Sequence, residues 1–154
     1  MLAGLWVFIA EKLGIPSWPG FIGWSMFFFT GANWKACKDS FPPLVLGPIL
    51  GFLTILAQTS LGTSGVTSAL IVVVLGFTMT ISQNISIFSA VAVTFVSCNI
   101  YFASGDLLQS IAIPSFGLII GIISIKLAEI FDSIIYKNSS GKEENLEEDM
   151  MAGN

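Results

Sequence analysis

The longest uncharged stretch of the chain limits the kinds of protein that it can form. From Ser40 to Gly105 there is no Asp, Glu, Lys, Arg or His. This stretch is about three times as long as the roughly 20 apolar residues that one membrane-spanning helix needs. A soluble domain does not keep so long a segment free of charge, and the sequence therefore predicts an integral membrane protein.

Composition supports this class and argues against an enzyme. Hydrophobic residues make up 54% of the chain and charged residues 10%, against about 25% charged in ordinary globular domains. The chain has no His and no Arg, and it lacks both a nucleophile elbow and a phosphate-binding loop. We expect no catalytic residue, no metal ligand, no cofactor and no nucleic-acid partner.

Turn-forming and polar residues divide the chain into six apolar segments, and each is predicted to be a helix. The sixth begins at Asp106, an N-cap residue with Gln109 three positions later, which is close to a capping box. Beyond Ile125, polar and apolar residues recur at helical spacing and predict an amphipathic extension at the interface. The fold class is therefore all-α, a polytopic membrane protein with about six transmembrane helices. The predicted segments are residues 1–13, 17–34, 40–58, 66–80, 85–104 and 106–125.

The polarity of the C-terminal residues separates them from this apolar body. We expect a transmembrane domain over residues 1–136. Residues 137–154 carry five acidic side chains between Glu143 and Asp149 and are too polar to pack. They are predicted to form a disordered cytoplasmic tail.

The lysines predict how the helices are oriented, because short cytoplasmic loops hold an excess of positive charge. Lys35 and Lys38 lie between the second and third segments, and Lys137 and Lys142 follow the sixth. With six crossings these regions share one side of the membrane. The expected location is the cytoplasmic (inner) membrane of a bacterium, with both termini in the cytoplasm.

The first segment is short for a crossing. Thirteen residues make a helix of only about 20 Å, and Glu11 and Lys12 are costly in hydrocarbon. Three interpretations stay open: the true start lies upstream, the segment crosses partway, or it is an N-terminal signal. The lack of a basic region and of a cleavage site before Glu11 argues against the signal.

Two sequence shifts indicate an internal repeat. A shift of 70 positions places Gly47, Ile49, Gly51 and Ile55 on Gly117, Ile119, Gly121 and Ile125. A shift of 74 positions places Phe21, Phe28 and Gly31 on Phe95, Phe102 and Gly105. The predicted units are residues 1–58 and 66–136, each with three spans. Because three is an odd number, the units must be inserted in opposite directions, as in many small transport proteins.

Glycine and proline interrupt the corresponding third and sixth segments, with Pro42, Pro43 and Pro48 in one and Pro114 in the other. Interrupted helices in corresponding positions point to a substrate pathway. A spacing of four between small residues also marks close helix packing. We favour packing for Gly47, Gly51, Gly117 and Gly121, and keep Gly47 and Gly117 as candidates for the pathway wall.

Two stretches resemble a known family. They are residues 13–23, LGIPSWPGFIG, and Gly105-Asp106 followed by residues 113–121, IPSFGLIIG. Together they resemble the YcdZ-like bacterial inner-membrane proteins of unknown function, over most of the chain from Leu5 to about Ser124. The resemblance implies a small multispan protein with no established activity. By comparison with that pattern we expect the first helix to be shorter in this chain by about half.

Four further residues are candidates for a pathway wall. Successive residues of a helix point in different directions, so Phe27, Phe28 and Phe29 cannot all face one pore, and Phe28 is the candidate for a constriction of the pathway. Asn99 is a candidate because its amide lies inside the fifth segment. Pro114 would free a carbonyl that Ser115 can use, so both are expected at the same cavity. An alternative for Asn99 is a hydrogen bond to a neighbouring helix.

The acidic residues lie at the ends of the segments, which disfavours proton-coupled transport. The sequence therefore favours a passive channel or facilitator for a small uncharged solute. The alternative is a membrane assembly or accessory protein, and a lipid-active enzyme is the least favoured class. Short helices with glycine faces also predict a homo-oligomer in the lipid bilayer.

Overall fold

The structure is a computed structural model that describes residues 2–62 and 64–152, with side chains as far as Ile134. Within these ranges the chain forms six α-helices and one 3₁₀ turn, and no strand. The all-α fold class is thereby confirmed. The helices are α1 (Leu2–Leu13), α2 (Trp18–Phe29), α3 (Trp34–Leu61), α4 (Gly65–Ser82), α5 (Val91–Ser104) and α6 (Leu107–Ala152).

Two of the longer helices begin where a side chain caps the first free amide groups. The Asn33 side chain accepts a hydrogen bond from the Ala36 amide at 2.8 Å and starts α3. The Asp106 carboxylate accepts one from the Gln109 amide at 2.9 Å and starts α6, so the N-cap role predicted for Asp106 is confirmed. Gly31 and Gly105, with φ of 118° and 69°, end α2 and α5, since a left-handed backbone suits glycine.

The predicted limits of the second and third segments were wrong. Helix α2 ends at Phe29, and four residues separate it from the start of α3 at Trp34. Lys35 and Lys38 therefore lie in the first two turns of α3 and not in a loop. The predicted second segment ends at the aromatic Trp34, although the turn residues Gly31 and Asn33 separate it from Phe29. The Asn33 cap, and not hydropathy, sets the boundary.

Within the described residues, three helical segments are long and apolar enough to cross a bilayer alone: Trp34–Leu61, Gly65–Ser82 and Leu107–Ile134. The other three helices have 12, 12 and 14 residues. At about 1.5 Å per residue they reach only about 18 to 21 Å, less than the roughly 30 Å of hydrocarbon. The fifth segment is shortened because Ser86–Phe88 forms a 3₁₀ turn before α5.

The chain divides into two compact units, residues 1–122 and 123–154. In the second unit the apolar side chains Ile130, Phe131 and Ile134 are exposed, as are the charged Lys126 and Glu129. The sequence predicts a disordered tail from residue 137 onward, whereas the backbone is helical as far as Ala152. Glu, Lys, Leu and Met favour a helix even where they cannot pack. The domain limits at residue 136 and between the repeats stay predictions.

Helix α1 is held to the first unit by one side chain. The Trp6 indole nitrogen donates a hydrogen bond to the Ser17 carbonyl at 2.8 Å, and the ring lies against Gly20, where a Cβ would overlap it. Trp6 and Ala10 form a buried apolar cluster with Ile113 of α6. This cluster joins the start of the chain to its last helix within residues 1–122.

Candidate functional site

The backbones of α2 and α6 touch at glycines. A Cβ placed on Gly117 would overlap the Gly20 carbonyl oxygen and lie 2.6 Å from the Trp24 nitrogen. A Cβ on Gly23 would overlap the Pro114 carbonyl oxygen and lie 2.7 Å from its Cα. Real Cβ atoms do not approach other atoms so closely, so only glycine permits this contact.

Helices α3 and α5 meet in the same way. A Cβ on Gly47 would overlap the Thr94 carbonyl oxygen and the Ser97 hydroxyl, and would lie 2.7 Å from the Cys98 nitrogen. One turn further, a Cβ on Gly51 would lie 2.8 Å from a ring carbon of Tyr101. The Ser97 hydroxyl also lies 3.3 Å from the Pro43 carbonyl and donates a hydrogen bond to it across this contact.

These contacts repeat with the two shifts seen in the sequence. Gly47 and Gly117 are 70 positions apart. The residues that they meet are 74 positions apart: Thr94, Ser97 and Cys98 correspond to Gly20, Gly23 and Trp24. One turn on, Gly51 meets Tyr101 and Gly121 meets Phe27, again with shifts of 70 and 74. The third helix of each repeat therefore packs against the second helix of the other.

A pair of hydroxyls at the turn between helices is repeated as well. The Ser40 hydroxyl lies 2.8 Å from the Thr30 hydroxyl, and the Ser110 hydroxyl lies 2.8 Å from that of Ser104. Ser110 corresponds to Ser40 by a shift of 70, and Ser104 to Thr30 by a shift of 74. Each pair joins the end of one helix to the second turn of the next and so fixes a sharp reversal between them.

The order of the contacts shows that the repeats run in opposite directions. As α3 advances from Gly47 to Gly51, its contacts on α5 advance from Thr94 to Tyr101, so α3 and α5 are parallel. Helix α3 follows α2 through the sharp reversal described above, so α2 and α5 run in opposite senses. Since α2 and α5 are corresponding helices, the repeat is inverted, as the sequence predicts.

At the α3–α5 contact Thr94 carries a buried hydroxyl that has no hydrogen-bond partner among the described residues. An unsatisfied buried polar group costs about 1–3 kcal/mol. We expect Thr94→Val to leave the thermal unfolding midpoint in mild detergent unchanged or to raise it. Thr54→Val is the control, because Thr54 is also buried but its hydroxyl donates to the Leu50 carbonyl at 2.8 Å, and loss of this hydrogen bond should lower the midpoint. A larger drop for Thr94→Val than for the control would contradict this account.

A cleft lies between the two corresponding helices α2 and α5. Its volume is about 230 Å³. Ile22 from α2 and Val96 from α5 both line it and correspond by the shift of 74, so one end of the cleft lies where the two repeats meet, while the other five wall residues have no counterpart on the wall. We call this space the axial cleft. Its wall consists of Ile22, Ser25, Met26, Phe29, Ala92, Val93 and Val96.

The axial cleft offers almost no polar group to a ligand. Ser25 has the one hydroxyl on its wall, and that hydroxyl donates a hydrogen bond to the Phe21 carbonyl at 2.9 Å. None of the described wall residues is ionisable. Such a surface can admit a small uncharged molecule, and it cannot hold a metal ion or transfer a proton.

A larger cleft of about 620 Å³ separates α3 and α4. The buried side chains of α4 are Met79 and Ser82, both near its C-terminal end. The N-terminal part of α4 therefore stands apart from α3, and Leu70 and Val74 on that part are more than 60% exposed. We interpret this space as a groove that faces lipid.

The residues predicted for the pathway do not meet in one cavity. Phe28 is half exposed and packs edge-to-face on Phe27, with 5.5 Å between ring centres. The Ser115 hydroxyl donates to the Ile111 carbonyl at 2.6 Å, within its own helix. Pro114 is buried at the α2–α6 contact with Gly117, while Gly47 lies at the α3–α5 contact. Asn99 faces a separate cleft.

The axial cleft was missed because its signal is helix length and not composition. The prolines of the third and sixth segments were the predicted interruptions, yet α3 continues as a helix through Pro42, Pro43 and Pro48, and α6 through Pro114. Membrane helices tolerate proline where neighbours satisfy the freed carbonyls. The unusually short helices in corresponding positions are α2 and α5.

The fold and its long apolar helices define the chain as a helical membrane protein. It belongs to the family described as "Protein of unknown function (DUF1097)", which matches residues 1–129. That match covers the described unit of residues 1–122 and with it both repeats' packing helices. It agrees with the expected membership in a family without an established activity. No curated protein and no solved structure matches the chain.

Proposed function

We propose that this protein is a passive channel or facilitator for a small uncharged solute, and that the solute crosses through the axial cleft. The observation that carries the proposal is the pair of short helices α2 and α5 in corresponding positions of an inverted repeat. Short or interrupted segments at such positions are the best sequence-level pointer to a transport site. Here these two helices face each other across a cleft.

The wall of the axial cleft sets the class of solute. Apolar side chains such as Ile22, Met26 and Val96 give no compensation for a buried charge, and transfer of an ion into such a space is strongly unfavourable. Coupling to protons also needs an acidic group at membrane depth. The proposal is therefore limited to facilitated diffusion of neutral solutes.

We place the protein in the cytoplasmic membrane of a bacterium with both termini in the cytoplasm. Lys35 and Lys38 lie at the start of α3, and the Lys38 ammonium sits over the Trp34 ring at 5.4 Å from its centre. Tryptophan with lysine is typical of the interface on the positive side of a membrane. The resemblance to YcdZ-like inner-membrane proteins supports the same location.

Swelling of proteoliposomes in neutral solutes such as glycerol and urea tests the proposal. Ile22→Trp and Val96→Trp each place an indole in the axial cleft, and we expect either variant to remove most of the flux of the same solute. Leu5→Trp is the control, because Leu5 is 54% exposed on α1 and lies outside the cleft wall. Flux that survives in the folded double variant would contradict a pathway at this place.

A second function is favoured by the closed glycine contacts. Close helix packing within the chain occupies all four repeat glycines, Gly47, Gly51, Gly117 and Gly121. A rigidly packed helical protein suits the role of an assembly or accessory subunit. The proteoliposome swelling experiment distinguishes the two functions by the solute flux that it measures. An accessory protein gives no flux above that of empty liposomes for any solute, while the Trp variants fold normally.

A further inference from the structure

A cleft between α4 and α5 holds a polar group among apolar side chains. Its volume is about 160 Å³. Gly76 and Met79 line it from α4, and Phe95, Asn99 and Phe102 line it from α5. Phe95 and Phe102 stand one turn before and one turn after Asn99, so the three side chains share a face of the helix.

Asn99 has an exposed side chain, and among the described residues its amide has no hydrogen-bond partner. The amide carries two donor hydrogens and one acceptor oxygen. Hydrocarbon satisfies neither, so an exposed amide on an apolar membrane helix favours contact with another polar group. The flanking Phe95 and Phe102, 41% and 42% exposed, offer only apolar area.

Gly76 differs from the packing glycines. A Cβ placed on Gly76 would meet nothing within 4 Å, whereas a Cβ on Gly47 or Gly117 would collide with a neighbouring backbone. Among the described residues, nothing therefore packs where a side chain of residue 76 would stand. Gly76 leaves the backbone of α4 open to close approach from outside, beside the free amide of Asn99.

We propose that this face, made by Gly76, Phe95, Asn99 and Phe102, is the interface between two copies of the chain. A second copy supplies what the amide lacks, because across a two-fold axis each Asn99 donates to the oxygen of the other. An acyl chain covers the phenylalanines but leaves the amide unsatisfied. The interface does not depend on whether the protein transports a solute.

Disulfide cross-linking in native membranes tests the position of the interface. In a Cys37→Ser, Cys98→Ala background, Gly76→Cys and Phe95→Cys should each give a covalent dimer on mild oxidation. Leu5→Cys is more accessible than either position, at 54% exposure on α1, and should stay monomeric. Absence of dimer at both face positions, or cross-linking to a different protein, overturns the proposal.

Dissociation of the dimer in liposomes, measured as a function of protein density, tests the role of the amide. Asn99→Leu should raise the dissociation constant by about 3- to 30-fold for each lost hydrogen bond. Asn99→Gln keeps a donor and an acceptor and should lie between Asn99→Leu and the wild type. A folded Asn99→Leu protein with an unchanged dissociation constant, or a wild type that is monomeric, overturns the proposal.

Discussion

Gly47→Leu and Gly117→Leu should each prevent accumulation of folded protein. At both positions the added side chain would meet backbone atoms of the neighbouring helix, which cannot move aside without separating the helices. Overpacking of a tight interior costs about 1–3 kcal/mol and occasionally more. Because the collision is with backbone atoms at both positions, we expect the loss of folding free energy to lie at or above the upper end of that range. The yield of monodisperse protein and its thermal unfolding midpoint in mild detergent measure the effect.

Gly4→Leu is the matched control for this experiment. Gly4 is also a helical glycine, but a Cβ there would meet nothing within 4 Å, so the variant should fold as the wild type does. If Gly47→Leu and Gly117→Leu instead folded normally and lost solute flux, these glycines would line the pathway and not a packing contact. This outcome would support the alternative interpretation from the sequence, in which Gly47 and Gly117 form part of the pathway wall.

Separate expression of the two halves, residues 1–62 and 63–154, should yield no stable protein, whereas their co-expression should yield a complex. The reason is that each half lacks the surface on which its third helix packs. Gly47 of α3 needs Thr94 and Ser97 of the other half, and Gly117 of α6 needs Gly20 and Gly23. Trp6 likewise reaches Ile113 across the halves. Protease resistance and co-purification of the differently tagged halves measure the association.

A variant of the second half provides the control for co-expression. Gly117→Leu should block recovery of the complex, while Thr94→Val should allow it, because the valine introduces no backbone collision. Stable accumulation of either half alone would contradict the exchanged packing of the repeats.

The repeat could be predicted from sequence because its packing residues are fixed by contact geometry. Gly47 and Gly51 match Gly117 and Gly121 since no other residue fits between touching helices. The N-cap at Asp106 could also be predicted, because it rests on local backbone chemistry. Both signals depend on residues close in sequence or repeated at a constant shift.

The axial cleft could not be predicted because hydropathy does not report how long each helix is or which way its side chains face. Residues 17–34 read as one apolar segment, yet Asn33 caps a new helix within it and leaves α2 with 12 residues. Nothing in the composition of residues 85–90 separates a 3₁₀ turn from a continuing helix. A glycine facing a neighbouring backbone also looks the same in sequence as one facing a cavity. The short helices of the axial cleft therefore become visible only in the structure.

Labelling of equivalent positions from outside the cell tests the inverted repeat most directly. Lys38 and Leu108 correspond by the shift of 70, and both are exposed near the starts of α3 and α6. In a Cys37→Ser, Cys98→Ala background, a membrane-impermeant maleimide should label Leu108→Cys in intact cells. It should label Lys38→Cys only after the membrane is opened. Labelling of both positions from the same side would contradict the inverted repeat on which the account rests.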